Sequence, residues 1–94
     1  MKFDYTLLDN NECMLHIFND KDDLIGYCIH SVDDYNRATI AYIKVFGKYR
    51  RQGIATSAIK ELLSKYTQLI WDYKFTDVGR KWFDALIKNN IITQ

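Results

Sequence analysis

The sequence lacks proline, has only two cysteines among its 94 residues and contains no long apolar run. Two cysteines are too few for a scaffold built on disulfides. Without a run of about 20 apolar residues, no membrane-spanning segment is expected, and the N-terminal residues contain no apolar signal-peptide core. A formal net charge of +1 predicts no general attraction to nucleic acid or to anionic membranes. These absences favour a cytoplasmic protein whose electrostatic specificity is local.

The material for one well-filled core is present, since 48% of the residues are hydrophobic and 15% are aromatic. A chain of this length fits a single domain, which we place at residues 1–94. Such a domain buries only about 60–65% of the surface that its unfolded chain exposes, so its core must be compact.

The two cysteines, Cys13 and Cys28, each lie in a strand-like run. If Asp20 and Lys21 formed a two-residue hairpin turn, these cysteines would lie opposite each other, and a disulfide would be geometrically conceivable. Reduced, buried thiols fit a cytoplasmic protein better. No cysteine and histidine pair has the spacing of zinc ligands, so no metal site is predicted.

The first half of the chain predicts four β-strands. Runs rich in β-branched and aromatic residues alternate with clusters of turn-forming residues. The predicted strands cover residues 2–8, 13–19, 24–31 and 37–46. Because the turns between them are short, the strands are expected to form an antiparallel meander.

The second half predicts two helices. After Gly53 the apolar residues recur every three or four positions, which places them on one helix face: Ile54, Ala55, Ala58, Ile59, Leu62, Leu63 and Tyr66. Residues 69–73 predict a further strand, residues 77–89 a second helix and residues 91–93 a short last strand. The apolar face predicted for the second helix comprises Val78, Trp82, Ala85, Leu86 and Asn89. This order predicts an α/β or α+β fold with a mixed sheet and helices packed against it.

The segment from Val45 to Ala55 joins a strand directly to a helix and has several features of an anion site. The first N–H groups of a helix lack intrahelical acceptors, and the helix dipole adds partial positive charge. Gly53 permits a ligand to approach the backbone closely, and positive charge comes from Lys48, Arg50 and Arg51. These features are typical of a phosphate or pyrophosphate site. On their own, a solvated basic loop is the commoner explanation.

The same segment resembles the acyl-CoA-binding motif of the GNAT superfamily of N-acetyltransferases. In that motif a valine closes the strand and is followed by an arginine or glutamine. After it come two free positions, a glycine, one free position and then a glycine or alanine. Val45, Arg50, Gly53 and Ala55 occupy those places. With the preceding meander, about three quarters of the chain agrees with the topology of the family. The resemblance implies a GNAT-like, mostly antiparallel mixed sheet with two helices, in which the usual N-terminal helices are reduced or missing.

The resemblance also implies acetyl-CoA as the cofactor and assigns its contacts. The backbone amides from Arg51 to Ala55 would hold the pyrophosphate, and Arg50 would lie nearby. The backbone of Ile43 and Val45 would bind the pantetheine arm along the strand edge, where two parallel strands would splay apart. The full cofactor-binding set is Ile43, Val45, Arg50, Arg51, Gln52, Gly53, Ile54 and Ala55. The amine-bearing acceptor would enter from the opposite side.

The residues that usually catalyse the reaction in this family are missing from their places. Gly47 stands where proline is common, and the strand over residues 37–45 carries no carboxylate to act as general base. Depending on the helix register, Phe83 or Leu86 occupies the usual tyrosine position, and neither can donate a proton. We therefore predict Tyr73 and Tyr42 as the catalytic residues. Weaker candidates are Asp72, Asp84, His16 and His30.

Two functions follow from these observations. The first is an N-acetyltransferase that moves an acetyl group from acetyl-CoA to an amine, with a protein as the favoured acceptor because the missing helices would open that side. The alternative is a catalytically silent GNAT-like binding or inhibitory protein. Its origin could be a phage or mobile element, because the residue usage suggests an AT-rich genome. Nucleic-acid binding is least favoured, and both a monomer and a homodimer stay open.

Overall fold

The computed structural model describes residues 1–50, 52–71 and 77–92. In these residues the chain forms, in order, β1 (Lys2–Leu7), β2 (Glu12–Phe18), β3 (Leu24–Val32), β4 (Arg37–Val45), a 3₁₀ turn (Gly47–Tyr49), α1 (Ile54–Lys65), β5 (Gln68–Trp71) and α2 (Asp77–Lys88). The first four strands end within one residue of the predicted positions.

The strands form one mixed sheet in the order β1-β2-β3-β4-β5. The first four are antiparallel neighbours, and β5 runs parallel to β4. This arrangement confirms the predicted fold class. Only residues 8–11 connect β1 to β2, so no helix stands between these strands.

The core lies on one face of the sheet, where both helices pack. Side chains from the sheet and from both helices belong to one buried cluster, which includes Leu15, Ile17, Cys28, Ile40, Ile59, Leu62, Phe83 and Leu86. The indole N–H of Trp82 donates to Thr56 Oγ1 at 3.1 Å and ties α2 to α1. Trp71 contacts the ring of Phe83 edge-on, with centroids 5.0 Å apart. The sheet and its two helices therefore share a single hydrophobic core.

The turn between β2 and β3 is longer than the two-residue hairpin that would place the two cysteines opposite each other. It spans residues 19–23, because Asn19 Oδ1 accepts hydrogen bonds from the N–H groups of Lys21 and Asp23. The longer turn changes the register, so that Cys13 faces His30 and Leu15 faces Cys28. The condition for opposing cysteines is therefore not met, and both are free thiols. Burial raises the pKa of the Cys28 thiol to about 12, which keeps it protonated.

The buried face of α2 also differs from the prediction. Among the described side chains of this helix, Phe83 and Leu86 are buried, whereas Ala85 and the following Asn89 are exposed and Trp82 is half-buried. The predicted apolar face did not include Phe83. Because the bulky ring of Phe83 packs against Trp71, the buried face is rotated around the helix relative to the prediction. The side chain of Val78 lies outside the described residues.

α2 ends at Lys88, one residue before the predicted end at residue 89. Asn90 adopts a left-handed conformation, with φ of 58°. The N–H groups of Asn90 and Ile91 bond to the carbonyls of Ile87 and Leu86, which closes the helix with a Schellman motif. Ile91 and Ile92 do not form the predicted last strand; Ile92 is instead buried in the core. Thr93 lies outside the described residues.

Candidate functional site

The candidate site begins at the second half of β4, where one edge of the strand is free of described partners. Phe46 N–H donates to the Ile25 carbonyl at 3.0 Å. Because antiparallel strands alternate between residues that bond the neighbour and residues that do not, the backbone groups of Ile43 and Val45 point away from β3. On that side the pairing with β5 ends at Ile40 and Trp71. A ligand with amide groups can therefore bond to this edge as an added strand does.

A β-bulge lies where the pairing with β5 ends. Ile29 pairs with Tyr42 and His30 pairs with Ile40, so Ala41 is an extra residue in β4. Such a bulge bends its strand and increases the local twist. Because the bulge lies next to Ile40, it is expected to bend the second half of β4 away from the direction of the first half of the strand. Whether β5 continues away from β4, as predicted, depends on residues 72–76, which lie outside the described residues.

The N-terminus of α1 lies directly beyond this strand edge. Gly53 precedes the helix with φ of 73°, no side chain caps the first turn, and the first turn contains no acidic residue. The N–H of Ser57 bonds to the Gly53 carbonyl, so the earlier N–H groups of the helix have no acceptor within it. A Cβ built on Gly53 would meet nothing within 4 Å. Open space, free donors and the dipole thus coincide at this point.

The loop between β4 and α1 carries positive charge around these donors. Arg50 folds back, and its Nε donates to the Val45 carbonyl at 3.1 Å. This contact holds the guanidinium beside the end of β4. Lys48 is exposed, with its Nζ 5.6 Å from the centroid of the Tyr49 ring. Arg51 was predicted to line the site and lies outside the described residues.

A cleft of about 330 Å³ opens beside this loop. One wall is formed by Lys48, Tyr49, Gln52 and Ile54, and the other by Met1, Asn19, Asp20 and Ile25. The Asp20 carboxylate pairs with the N-terminal amine at 2.7 Å, and this hydrogen bond lowers the pKa of Asp20. The pairing reduces the repulsion that the carboxylate would exert on an anionic ligand in the cleft.

These features fit coenzyme A, the cofactor implied by the motif. Its diphosphate matches the N–H groups and cations around Gly53, and its amide-containing arm matches the backbone groups of Ile43 and Val45 that point away from β3. Of the predicted cofactor-binding set, the structure brings together Ile43, Val45, Arg50, Gln52, Gly53, Ile54 and Ala55. The side chain of Ile54 is buried in the core, so its backbone is the part that faces the site.

The catalytic candidates lie in different places. Tyr42 is 44% exposed and lies on the side of the sheet opposite the helices, with its ring centroid 5.9 Å from that of Tyr27. Tyr73 and Asp72 lie outside the described residues. Asp84 is on the surface of α2, where Arg80 Nε donates to its carboxylate at 3.2 Å. His16 stacks on Phe18 at a centroid distance of 6.4 Å. Of these candidates, only Tyr42 lies on the second half of β4.

His30 belongs to a buried polar cluster that sequence reasoning did not find. It is fully buried, with Nε2 3.1 Å from the Tyr66 hydroxyl, and burial lowers its pKa. The ring of Tyr5 contacts His30 edge-on at 6.2 Å, and the Tyr5 hydroxyl donates to Glu61 at 2.7 Å. No local pattern indicates this cluster, because strands from one half of the chain and a helix from the other create it. It lies beside Ile40 rather than beside the junction at Val45.

Phe83 and Leu86, the two residues at the usual tyrosine position, are each only 2% exposed and belong to the core. The described residues contain no cluster of side chains that could hold a metal ion. None of the described helices is long and apolar enough to cross a membrane.

The fold and the junction together define an α/β domain in which an uncapped helix N-terminus follows a strand edge that has no described strand partner. The family model of the GNAT acetyltransferases matches residues 1–81. The chain therefore belongs to the GNAT acetyltransferase family, whose members use acyl-CoA. A search of curated proteins finds no significant match.

Solved structures share the fold. The chain is similar to the ribosomal-protein-alanine N-acetyltransferase of Brucella melitensis biovar Abortus 2308, with a TM-score of 0.69, 21% identity and coverage of 92% of this chain and 66% of that one. It is also similar to the aminoglycoside N-acetyltransferase AAC(6')-Iy solved with CoA, with a TM-score of 0.67, 18% identity and coverage of 82% and 67%. A transcriptional regulator of Bacillus halodurans C-125 matches with a TM-score of 0.66, 16% identity and coverage of 83% and 59%. The chain thus spans about two thirds or less of the length of these relatives.

Proposed function

We propose that this protein is an N-acetyltransferase that moves an acetyl group from acetyl-CoA to an amine. The observation that carries the proposal is the edge of β4 at Ile43 and Val45, which has no strand partner among the described residues, together with the uncapped start of α1 at Gly53. Membership of the family and the structure of a relative with CoA support the same cofactor.

In this proposal the chain holds the cofactor mainly through its backbone. The N–H groups of Gln52, Gly53 and Ala55 bind the diphosphate, assisted by the charge of Arg50, and Arg51 is predicted to add its own. Backbone groups of Ile43 and Val45 hold the arm that carries the acetyl group. Bound acetyl-CoA supplies a thioester, and transfer of its acetyl group to an amine gives an amide and the free thiol of CoA.

The chain contributes positioning more than acid–base chemistry. No carboxylate stands on β4, so in this proposal the amine loses its proton to water. Alignment of the amine with the strand edge that holds acetyl-CoA then accelerates the transfer of the acetyl group. We propose that Tyr42 orients the acceptor, and Tyr73 is retained as the candidate proton donor to the departing sulfur.

The acceptor amine is proposed to belong to a protein or peptide. Because only residues 8–11 link β1 to β2, the described chain has no helices there to enclose a small acceptor. An open approach accommodates a side chain or terminus of a large substrate. The free thiols Cys13 and Cys28 suit the reducing cytoplasm, where we place this single-domain protein.

Calorimetric titration with acetyl-CoA tests the cofactor site. Binding is expected below about a millimolar, whereas no heat up to that concentration would refute the site. Gly53→Trp should abolish binding, because its side chain would fill the open space in front of the helix. Arg50→Ala should weaken binding about tenfold, whereas Arg80→Ala, a matched exposed arginine on α2, should not change it. Equal affinities for these two arginine variants would show that the diphosphate binds elsewhere.

The alternative function, a silent acyl-CoA-binding protein, is favoured by one specific observation. Both residues at the usual tyrosine position are hydrophobic and buried in the core, so no proton donor faces the site from there. Mass spectrometry of candidate peptides and proteins incubated with acetyl-CoA separates the two functions. A mass increase of one acetyl group that depends on the protein, and is reduced in Tyr73→Phe, supports the enzyme. Binding without transfer to any acceptor supports the silent protein.

A further inference from the structure

One face of the sheet carries a continuous set of side chains that no described element covers. Both helices pack on the opposite face, as the single core cluster shows. The connections between the first four strands span only residues 8–11, 19–23 and 33–36, so none of them reaches across the uncovered face. We call this surface the open face and define it by two rows of paired residues.

The first row crosses the sheet through Asp4, His16, Tyr27 and Lys44. The strand registers pair Asp4 with His16, His16 with Tyr27 and Tyr27 with Lys44. Paired residues of neighbouring strands share one face of a sheet, and this row alternates along the strands with core residues such as Leu15 and Cys28. The row therefore begins with an anion at β1 and ends with a cation at β4.

The second row lies two residues further along each strand and comprises Thr6, Met14, Ile29 and Tyr42. Its middle members are apolar and its outer members carry hydroxyl groups. The ring of Tyr42 lies 5.9 Å from that of Tyr27, so aromatic contact joins the two rows. The centre of the open face is thus apolar and aromatic, and its margins are polar.

We propose that the open face binds a second copy of this chain. A two-fold axis parallel to the strands, placed between β2 and β3, lays β1 of one copy across β4 of the other. Each row then packs against the same row of the second copy, which runs across the sheet in the opposite direction. Asp4 therefore faces Lys44 of the second copy, and Met14 faces its Ile29. Both contacts occur twice, as a closed two-fold interface requires. Among the described residues, neither Asp4 nor Lys44 forms an ion pair within its own chain.

The size of the open face sets the expected strength of the dimer. Four strands spaced about 4.8 Å apart, and about six residues long at 3.4 Å each, give a footprint of roughly 400 Å² per copy. Stable complexes bury about 800 Å² per partner, so this interface is small. The dimer is therefore expected to have a dissociation constant in the micromolar range and to exchange with the monomer.

The dimer would also change the surroundings of the proposed site. Tyr42 lies at the margin of the open face, on the strand whose free edge holds the cofactor in our proposal. In the dimer β1 of the second copy lies beside Tyr42 and forms a wall that the short connection between β1 and β2 does not provide. This consequence depends on the proposed function, whereas dimerisation itself does not.

Sedimentation velocity of the full chain between about 5 and about 500 µM tests the interface without any cofactor. The mass should rise from 11.2 kDa toward twice that value as the concentration increases. Asp4→Lys and Lys44→Asp should each weaken dimerisation by about tenfold or more, because like charges then face each other twice. An equimolar mixture of the two variants should dimerise again, because all four charges become complementary across the interface.

The controls are Asp34→Lys and Lys60→Asp, which make the same changes in the turn before β4 and on the exposed side of α1. Both should dimerise as the original chain does, and circular dichroism should show that all four variants are folded. A chain that stays at 11.2 kDa up to the highest concentration would overturn the proposal. A dimer that is insensitive to the charges of Asp4 and Lys44, or single variants that fail to associate when mixed, would overturn it equally.

Discussion

Gly26 is a position where a single methyl group should cost considerable stability. It lies in β3 opposite Val45, next to the end of β4. A Cβ added there would stand 2.5 Å from the Lys44 carbonyl oxygen and 3.3 Å from the Val45 Cα. The clashing atom belongs to the backbone of a paired strand, so no side-chain rotation can relieve it. The two strands would have to move apart by roughly 0.7–0.9 Å.

The expected cost can be worked out from this geometry. Overpacking of a tight site costs about 1–3 kcal/mol or more, and a rigid backbone neighbour favours the upper part of that range. Alanine lowers the conformational entropy of the unfolded chain relative to glycine, and this effect offsets about 0.4–1 kcal/mol of the cost. A net loss of about 1–2.5 kcal/mol should lower the melting temperature of a domain this size by roughly 4–20 °C. That is a large share of a total stability of about 5–15 kcal/mol.

Gly47→Ala provides the matched control, because a Cβ on Gly47 would meet nothing within 4 Å. This variant should stay within about 1 kcal/mol of the original chain. Urea and thermal unfolding, followed by circular dichroism and by the fluorescence of the two tryptophans, measure both variants. If Gly26→Ala melted within about 2 °C of the original chain, the close approach of β3 to β4 would be wrong.

Four further outcomes are expected. Burial lowers the pKa of His30, so its contribution to stability is fully present above the unfolded pKa of about 6.5. As the pH drops below that value, the free energy of unfolding measured in urea should fall by up to about 1.4 kcal/mol per pH unit. His30→Gln should reduce this slope. Tyr66→Phe should cost about 1–3 kcal/mol because it leaves His30 Nε2 without its partner; an unchanged midpoint in urea would contradict this. Trp82→Phe removes the hydrogen bond to Thr56 and should cost about 1 kcal/mol, most of which should disappear in a Thr56→Val background. Asn90→Gly should keep the melting temperature, whereas Asn90→Val should lower it, because a β-branched residue is strained at φ of 58°.

Much of the fold follows from local patterns. Alternation in the first half and the stripe after Gly53 placed the strands and α1 to within a residue or two. The period of side chains along a strand or helix depends on the geometry of that element alone, so it can be read without its neighbours. The order of elements then predicted the mixed sheet. The junction from Val45 to Ala55 was recognisable for the same reason, since its parts are consecutive in the chain.

Other features depend on residues that are distant in sequence. The long turn at residues 19–23 moved Cys13 away from Cys28, and the bulge at Ala41 directly follows the last described pair between β4 and β5. The back-folded Arg50 and the burial of His30 against Tyr66 likewise have no signal in the local pattern. Register and burial are decided by packing across strands and helices, where many weak contacts compete.

The sequence by itself therefore determined the elements, their order and the basic strand–helix junction, because these depend on neighbours along the chain. Only the tertiary structure decided which edge of β4 is free, which face of α2 is buried, and which side chains share the open face. Those outcomes depend on the pairing register of strands, and a shift of one residue would exchange the two faces of the sheet. The two rows that run from Asp4 to Lys44 and from Thr6 to Tyr42 exist only because four separate strands meet in one register.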